Sequence, residues 1–576
     1  MKIVLGLNAF HADTSACLIK DNKIIAAIEE ERITRKKHSS DFPINSINEC
    51  LKIANIPFSE ITNISINSDP SKNLYNKFLH FFKNFELKKI NNLFLNRLKN
   101  KFNLKQILKK NYKLNNDLKI NNIEHHLSHL SSSFYASGFE KAVGLSIDGS
   151  GDFCSLVIAE CNYNKIKIKK RINFPHSLGL FYQGMTQLIG FNNYGDEYKL
   201  MGLAPYGRPI FKDKIKSKLF KNTNDLFNLD LKYFNHHKLN FKYDISESVN
   251  IDQIISKRYL ELIKNEFNDN EKTEEYNQNI ASSTQKIFEE YFQKILNYLK
   301  QINFSKNIIY AGGCALNSSA NKLLLNNTFF DKIFIPFAPA DNGGALGSAI
   351  YTYCQNGNKI NNIQTPYLGS DFNNQEIEKL LKNYVNKYNL KIQKFNNFDE
   401  LCEKAVDQLT NDSVIGWFQG KMEFGPRSLG NRSILADPRK KNMKDIINKK
   451  IKRRENFRPF APSVLKEYQH EWFEENFDNL YMSSVMSVKT NKINLIPAVV
   501  HVDGSSRVQT VKKENNNKFH NLISKFYIKT KIPMLLNTSF NENEPIVRKP
   551  EEAINCLLRT DMDSLYINDF CIEKIR

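Results

Sequence analysis

The chain has 576 residues and a formal charge of +21 at pH 7, with 41% hydrophobic residues. At roughly 100–200 residues per domain, that length calls for two large domains or several small ones, with enough apolar material for ordinary cores. The charge would suit nucleic acid or an acidic membrane surface, but Lys recurs with Asn and Ile throughout the chain. It reads as a compositional bias, and no nucleic-acid partner is expected.

The opening MKIVLGLNAF passes from a strand-length apolar run straight into polar chemistry, which is not the pattern of a signal peptide. No stretch approaches the roughly 20 apolar residues needed to span a bilayer. Nine cysteines are scattered without a CxxC pair. Cys17 in SACLI and Cys154 in FCSLVI sit in apolar runs and read as reduced, buried thiols. A cytoplasmic protein is expected. Residues 3–31 then spell strand, small polar turn, strand, DN turn, strand. His11 lies in the first turn, followed by Asp13. A histidine beside a nucleotide site is a candidate general base for a hydroxyl acceptor, and a turn histidine that merely satisfies a carbonyl is the alternative.

Residues of about 70 to 118 alternate Lys with Phe and Leu at helical spacing. They read as a basic helical insertion packed on the core, with a membrane-surface helix or an acidic-partner site as the other reading. Next, EHHLSHLSSSFY places His125 and His129 four apart, on one helical face, as metal-binding pairs are. AVGLSIDGSGDFCSLVIAECNYNKIKI repeats the strand–turn–strand order of the N-terminus, with Asp148 in its DGSGD turn. Small residues let such a turn bring backbone N–H groups to an anion. The echo suggests two related lobes facing a nucleotide. A polar stretch of about 208 to 275 precedes a long helix in which Ile287, Tyr291, Ile295 and Leu299 share a face. KNIIYAGGCALNSSANKLLL then reads strand–GG–helix, and Asp341 follows beside a Gly pair. Two histidines and two carboxylates suit a divalent ion: Fe2+ first, with Mn2+ or Zn2+ as alternatives. PYLGSDFNNQE marks a boundary near residue 365. Beyond it, arginines cluster beside Gly, Ser and Pro: Arg427, Arg432 and Arg439, then Lys452, Arg453, Arg454 and Arg458, then Arg507 and Arg548. The guanidinium fork matches phosphate oxygens.

The strings AFHADTSACLI, EEERITRKKH, HHLSHLSSSFY, SIDGSGD, YKLMGLAPYG, AGGCALNSSAN, APADNGGALGSA, FGPRSLGNRSILADPR, FRPFAPSVL, HVDGSSRVQTV and LNTSFNENEPIV resemble the O-carbamoyltransferase family that includes the nodulation protein NodU and the tobramycin and cephamycin enzymes. They run from residue 5 to about 550. The resemblance implies an α/β protein. Its residues 1–365 would form a Kae1-like domain of the actin/hexokinase (ASKHA) superfamily, and residues 366–576 a YrdC-like domain. It also implies ATP and carbamoyl phosphate as substrates, carbamoyl-adenylate as the carrier, and a hydroxylated sugar, glycan or metabolite as acceptor. By the same resemblance His125, His129, Asp148 and Asp341 would hold the metal, with His11 and Lys37 catalytic (Lys36 being the other choice). Gly149, Gly312, Gly313, Asn317 and Lys199 would bind the nucleotide, and Arg427, Lys452, Arg507 and Arg548 the carbamoyl phosphate. A homodimer is left open.

Two readings compete. A tRNA threonylcarbamoyl transferase would use the same fold types and the positive charge, but the GPRSLG and FRPFAPSVL strings resemble small-molecule carbamoylation. A non-catalytic nucleotide-binding protein would not be expected to keep His11, four ligands and an arginine cradle together.

Overall fold

The computed structural model describes residues 3–83, 104–238, 243–244, 249–266, 273–355, 357–360, 364–385 and 387–575. Residues 84–103, in the middle of the basic insertion, lie outside these. So do parts of the 208–275 stretch. The chain divides into two compact units, Met1–Gln364 and Thr365–Arg576.

The first unit starts with an antiparallel meander of β1 (Val4–Asn8), β2 (Ser15–Lys20) and β3 (Lys23–Glu29). Asp21 and Asn22, with φ of 50° and 62°, turn β2 into β3. Two successive left-handed residues match the strand twist in a two-residue hairpin, and short Asx side chains tolerate that region. β1 also pairs in parallel with β4 (Asn63–Ile66), and β4 with β5 (Lys119–Asn122), giving the order β3-β2-β1-β4-β5.

A second sheet repeats this plan. β6 (Lys141–Gly151), β7 (Cys154–Asn162) and β8 (Lys165–Asn173) form the meander. A short hairpin, β9 (Tyr243–Asp244) with β10 (Asn250–Ile251), stands apart in the variable stretch. β6 then pairs in parallel with β11 (Asn307–Ala311), and β11 with β12 (Lys332–Phe334), so the order is β12-β11-β6-β7-β8. Both sheets place an antiparallel meander beside two parallel strands, with the same polarity at every step. The echo in the sequence is therefore a duplicated topology.

All five residues of β1 are buried, as expected of a strand covered on both faces. Helix Gly343–Cys354 rests on β1, β2 and β4, and helix His125–Ser137 on β6 and β11. The two helices lie against each other at Gly347, where a Cβ would stand 1.9 Å from the Ser128 carbonyl oxygen. Only glycine permits that approach. Helix Glu274–Ile302 buries Ile287, Tyr291, Ile295 and Leu299, and the Thr273 side chain caps it by accepting from the Tyr276 amide (3.2 Å). From the basic insertion, helix Leu104–Asn111 sends Leu104 and Leu108 into the core with Ile47 and Leu51.

The second unit is built on a mixed eight-stranded sheet, counted among the described residues. Its strands are β13 (Leu390–Lys394), β14 (Ile415–Phe418), β15 (Arg432–Ala436), β16 (Ala461–Leu465), β19 (Gln509–Val511), β20 (Met534–Ser539), β21 (Ser564–Ile567) and β22 (Phe570–Lys574). Their order is β13-β22-β21-β14-β15-β20-β16-β19, and a separate ribbon pairs β17 (Met486–Ser487) with β18 (Ser505–Ser506). Trp417, Leu435, Leu536 and Leu565 lie in a single core with Leu401, Ile523 and Ile554 from its helices. Among the described residues no helix is long and apolar enough to cross a membrane, and the nine cysteines are free thiols.

Candidate active site

In the first unit, helix His125–Ser137 carries its two histidines one turn apart, so both imidazoles leave the same face. The Asp148 turn meets them from β6. His125 Nε2 and His129 Nε2 lie 3.1 and 3.0 Å from Asp148 Oδ2, and 3.0 Å from each other. Asp341, two residues before helix Gly343–Cys354, brings Oδ1 to 3.4 Å from both nitrogens. The four donors all lie within 4.8 Å of one another. Separations of 3.0–3.4 Å match adjacent ligands around an ion whose bonds are about 2.0–2.2 Å long. Two imidazoles and two carboxylates therefore fit a divalent transition ion.

The electrostatics call for positive charge at the same point. Burial opposes a charge on His129, yet Asp148 and Asp341 outweigh it and raise its pKa to about 9. Burial would raise the Asp148 carboxyl, but His125 and His129 hold it well below the usual carboxylate range. His126 points elsewhere. Its ring nitrogens meet Ser146 Oγ (2.8 Å) and the Cys154 carbonyl (3.0 Å), and burial pushes its pKa down to about 3.

His11 sits beside this cluster, in a turn held by the Asn8 side chain, which donates to the Ala12 and Asp13 carbonyls (3.1 and 2.7 Å). Its Nδ1 is 3.2 Å from Asp341 Oδ2, and its buried Nε2 has no hydrogen-bond partner in the protein. An imidazole so oriented keeps one nitrogen ready to take a proton. The β11 turn closes the same region. Gly312 has φ of 91°, and a Cβ there would lie 2.2 Å from the Ile147 carbonyl oxygen. At Gly313 a Cβ would stand 2.9 Å from Asp148 Oδ1. The Gly149 amide donates to Asp148 Oδ1 (2.6 Å).

The second unit gathers cations. Burial pushes the Arg507 guanidinium well below its usual range, and Arg427, Arg454 and Arg458 push it further. Its Nε is buried without a hydrogen-bond partner. Glu423 shapes the loop that carries Arg427: its Oε1 accepts from the amides of Leu429, Asn431 and Arg432 (2.8, 2.8 and 3.2 Å).

The sequence model for the carbamoyltransferase N-terminus matches residues 3–350, and that for the carbamoyltransferase C-terminus matches residues 406–574. The chain belongs to the carbamoyltransferase family. This carbamoyltransferase is 35% identical to the nodulation protein NolNO of Sinorhizobium fredii, over 98% of this chain and 80% of that protein. It is 36% identical to an uncharacterized protein of Synechocystis, over 100% of this chain and 97% of that one. A 3'-hydroxymethylcephem-O-carbamoyltransferase of Amycolatopsis lactamdurans is 30% identical over 46% of this chain and 47% of its own.

The carbamoyltransferase brings His11, His125, His129, Asp148, Asp341, Gly149, Gly312 and Gly313 together. Asn317 caps helix Ser318–Leu325 through Ala320 N (3.0 Å) and exchanges hydrogen bonds with Gln285 (3.2 and 3.0 Å). Lys199 pairs with Asp196 at 3.1 Å. Lys36 and Lys37 are both exposed, and Lys37 acts on Glu31. Two members of the expected phosphate cradle also bond within the protein. Lys452 is buried, and its ammonium donates to the Ser539 carbonyl and hydroxyl (2.5 and 3.2 Å) and to the Asn541 carbonyl and side-chain oxygen (2.9 and 2.6 Å). It is a strut for the 539–541 loop. Arg548 donates to Ser370 Oγ (3.2 Å) and acts on the buried Arg432.

Sequence reading missed the cluster of Asp13, Glu31 and His38. His38 Nδ1 lies 2.8 Å from Asp13 Oδ1, and the His38 amide donates to Glu31 Oε2 (3.0 Å). Burial opposes charge on His38, but Asp13 raises its pKa to about 9. The strings HADTSA and ERITRKKH hold all three residues, but nothing local says that they meet.

Proposed function

We propose that the Thr365–Arg576 unit, a YrdC-like domain, makes carbamoyl-adenylate from carbamoyl phosphate and ATP. The Met1–Gln364 unit, a Kae1-like member of the ASKHA class, then passes the carbamoyl group to a hydroxyl of a sugar, glycan or secondary metabolite. Carbamoyl phosphate is first hydrolysed to carbamate and phosphate. A carbamate oxygen attacks the α-phosphorus of ATP and pyrophosphate leaves. The acceptor hydroxyl then attacks the carbamoyl carbon, AMP leaves, and the hydroxyl proton passes to His11 Nε2.

One observation carries the reading: His11 Nε2, buried and unpartnered, stands beside the His125–His129–Asp148–Asp341 donor set. A divalent ion there would neutralise and hold the nucleotide phosphates. Asp341 orients the His11 ring through Nδ1, as a carboxylate does for a general base. The duplicated sheets with helices between them support the ASKHA assignment. Arg427 and Arg507 supply the charge a small dianion needs.

The test is mass spectrometry of the purified protein with ATP and carbamoyl phosphate, followed by screening of hydroxylated acceptors. Carbamoyl-adenylate and pyrophosphate are expected, with AMP released once an acceptor is added. ADP as the nucleotide product, or no nucleotide product at all, would reject the adenylate route.

A further inference from the structure

His11 sits in a turn that the backbone does not favour. Phe10 and Asp13, which flank His11 and Ala12, have φ of 66° and 59°. Asp tolerates the left-handed region, but a bulky Phe there is an outlier. Such a conformation persists only where the surroundings over-determine it. The buried Phe10 ring, part of the core under β1, and the Asn8 amide group fix the start of the turn.

The other end is fixed from a distant part of the sequence. The Thr14 amide and hydroxyl both donate to the Ser39 carbonyl (2.9 and 3.1 Å). Beside them His38 Nδ1 meets Asp13 Oδ1 at 2.8 Å. His38 is itself held firmly. Its amide donates to Glu31 Oε2 (3.0 Å), and the Tyr194 ring stands edge-on to the imidazole with centroids 5.1 Å apart. A Cβ on Gly195 would lie 2.5 Å from His38 Nε2, so glycine is what lets the ring lie there. Burial opposes a charge on His38, but Asp13, and then Glu31 and Glu197, outweigh it and keep the imidazole protonated at neutral pH. Its contact with Asp13 is therefore charge-assisted.

Neither Asp13 nor His38 belongs to the four-residue donor set beside His11. Their reach into the site runs through the chain, because Asp13 is two residues from His11. A turn in an unfavoured conformation relaxes when a restraint is removed, and a shift of about 1 Å in a reacting group can cost roughly 10²-fold in rate. We propose that the Asp13–His38 pair clamps this turn and so positions His11 for proton transfer, which rests on the reading of His11 as the base. His38 is then a positioning residue of the transfer half-reaction.

The test compares His38→Ala with His38→Asn in the full-length protein, since the Asn amide can place an N–H near the position of His38 Nδ1. The first readout needs no ligand. In protein labelled at histidine Cε1, the His11 signal, assigned with His11→Ala, should move in His38→Ala and stay near its wild-type position in His38→Asn. Hydrogen exchange across residues 8–16 should likewise quicken only in His38→Ala. The second readout is transfer from supplied carbamoyl-adenylate to the acceptor found by screening. It should fall by roughly 10–100-fold in His38→Ala, recover in His38→Asn, and show no further loss when His38→Ala is added to His11→Ala. Carbamoyl-adenylate formation should not change. An unmoved His11 signal in His38→Ala overturns the clamp at any transfer rate, and so does a full additional loss in the double variant or a failure of His38→Asn to restore both readouts. Normal transfer by His11→Ala would instead overturn the base role itself, while the His11 signal still judges the clamp.

Discussion

His129 and His11 lie in one cluster but face different tasks, and single substitutions separate them. His129 is buried with its Nε2 in the donor set that could hold an ion, so His129→Ala would remove a proposed ligand outright. The loss of affinity for a divalent ion should exceed the roughly 10–100-fold that removing an outer-shell partner costs. Metal analysis after dialysis checks this, and wild-type ion content in the variant would reject the site. His11 is not a member of the donor set. His11→Ala should still form carbamoyl-adenylate, while transfer to the acceptor should fall by roughly 10²–10⁴-fold, the usual contribution of a positioned base. If His11 only stabilised its turn, both half-reactions would weaken together and the Tm would drop.

Elements of the variable stretch are joined through histidines. His80 from helix Leu74–Lys83, His176 after β8, and His236 and His237 from the 208–275 stretch act on one another electrostatically. Burial pushes His236 and His237 down to about 4, and lowers His80 and His176 as well. Neutral rings fit the folded state, whereas the unfolded chain takes up protons below its ordinary histidine pKa of about 6.5. Stability contributed by this group is thus complete above about pH 6.5 and lost as pH falls towards 4. Buried His236 alone would account for roughly 3 kcal/mol across that window. Denaturant unfolding at pH 7.5 and pH 5 measures the slope. His236→Gln keeps a donor for the Pro175 carbonyl, now 2.8 Å from Nε2, but cannot titrate. It should flatten the slope, and an unchanged slope would remove His236 from the account.

Across the whole molecule the proposed chemistry is divided between two units, each with its own core and its own charged site. Arg427→Ala in the second unit should lower carbamoyl-adenylate formation by roughly ten- to hundred-fold, the worth of one charge-assisted contact to phosphate. The same variant, supplied with carbamoyl-adenylate, should transfer it to acceptor at the normal rate. His129→Ala should impair that transfer. Assaying both half-reactions on both variants decides the division, and equal losses in Arg427→Ala would reject it.

What the sequence determined by itself is local or repeated. The DN turn, the echo of strand–turn–strand and the four-residue spacing of His125 and His129 each rest on short-range geometry, so they were legible without tertiary contacts. The full donor set was grouped from residue chemistry and supported by resemblance to a family, since spacing alone says nothing about Asp148 and Asp341 approaching His125 and His129, about twenty residues before one and more than two hundred before the other. Tertiary structure decided which groups each charge meets inside the protein. The strings of Lys452 and Arg548 do not say what they meet in the fold: Lys452 donates to the Asn541 carbonyl and side-chain oxygen, and Arg548 to Ser370 Oγ. It also decided that Leu74, Tyr75, Phe78 and Leu79 of helix Leu74–Lys83 are exposed, where periodicity could only say that an apolar stripe exists. A side chain's chemistry is local. Its partner, and so its charge state and its role, is set by residues that only the folded chain brings within a few ångströms.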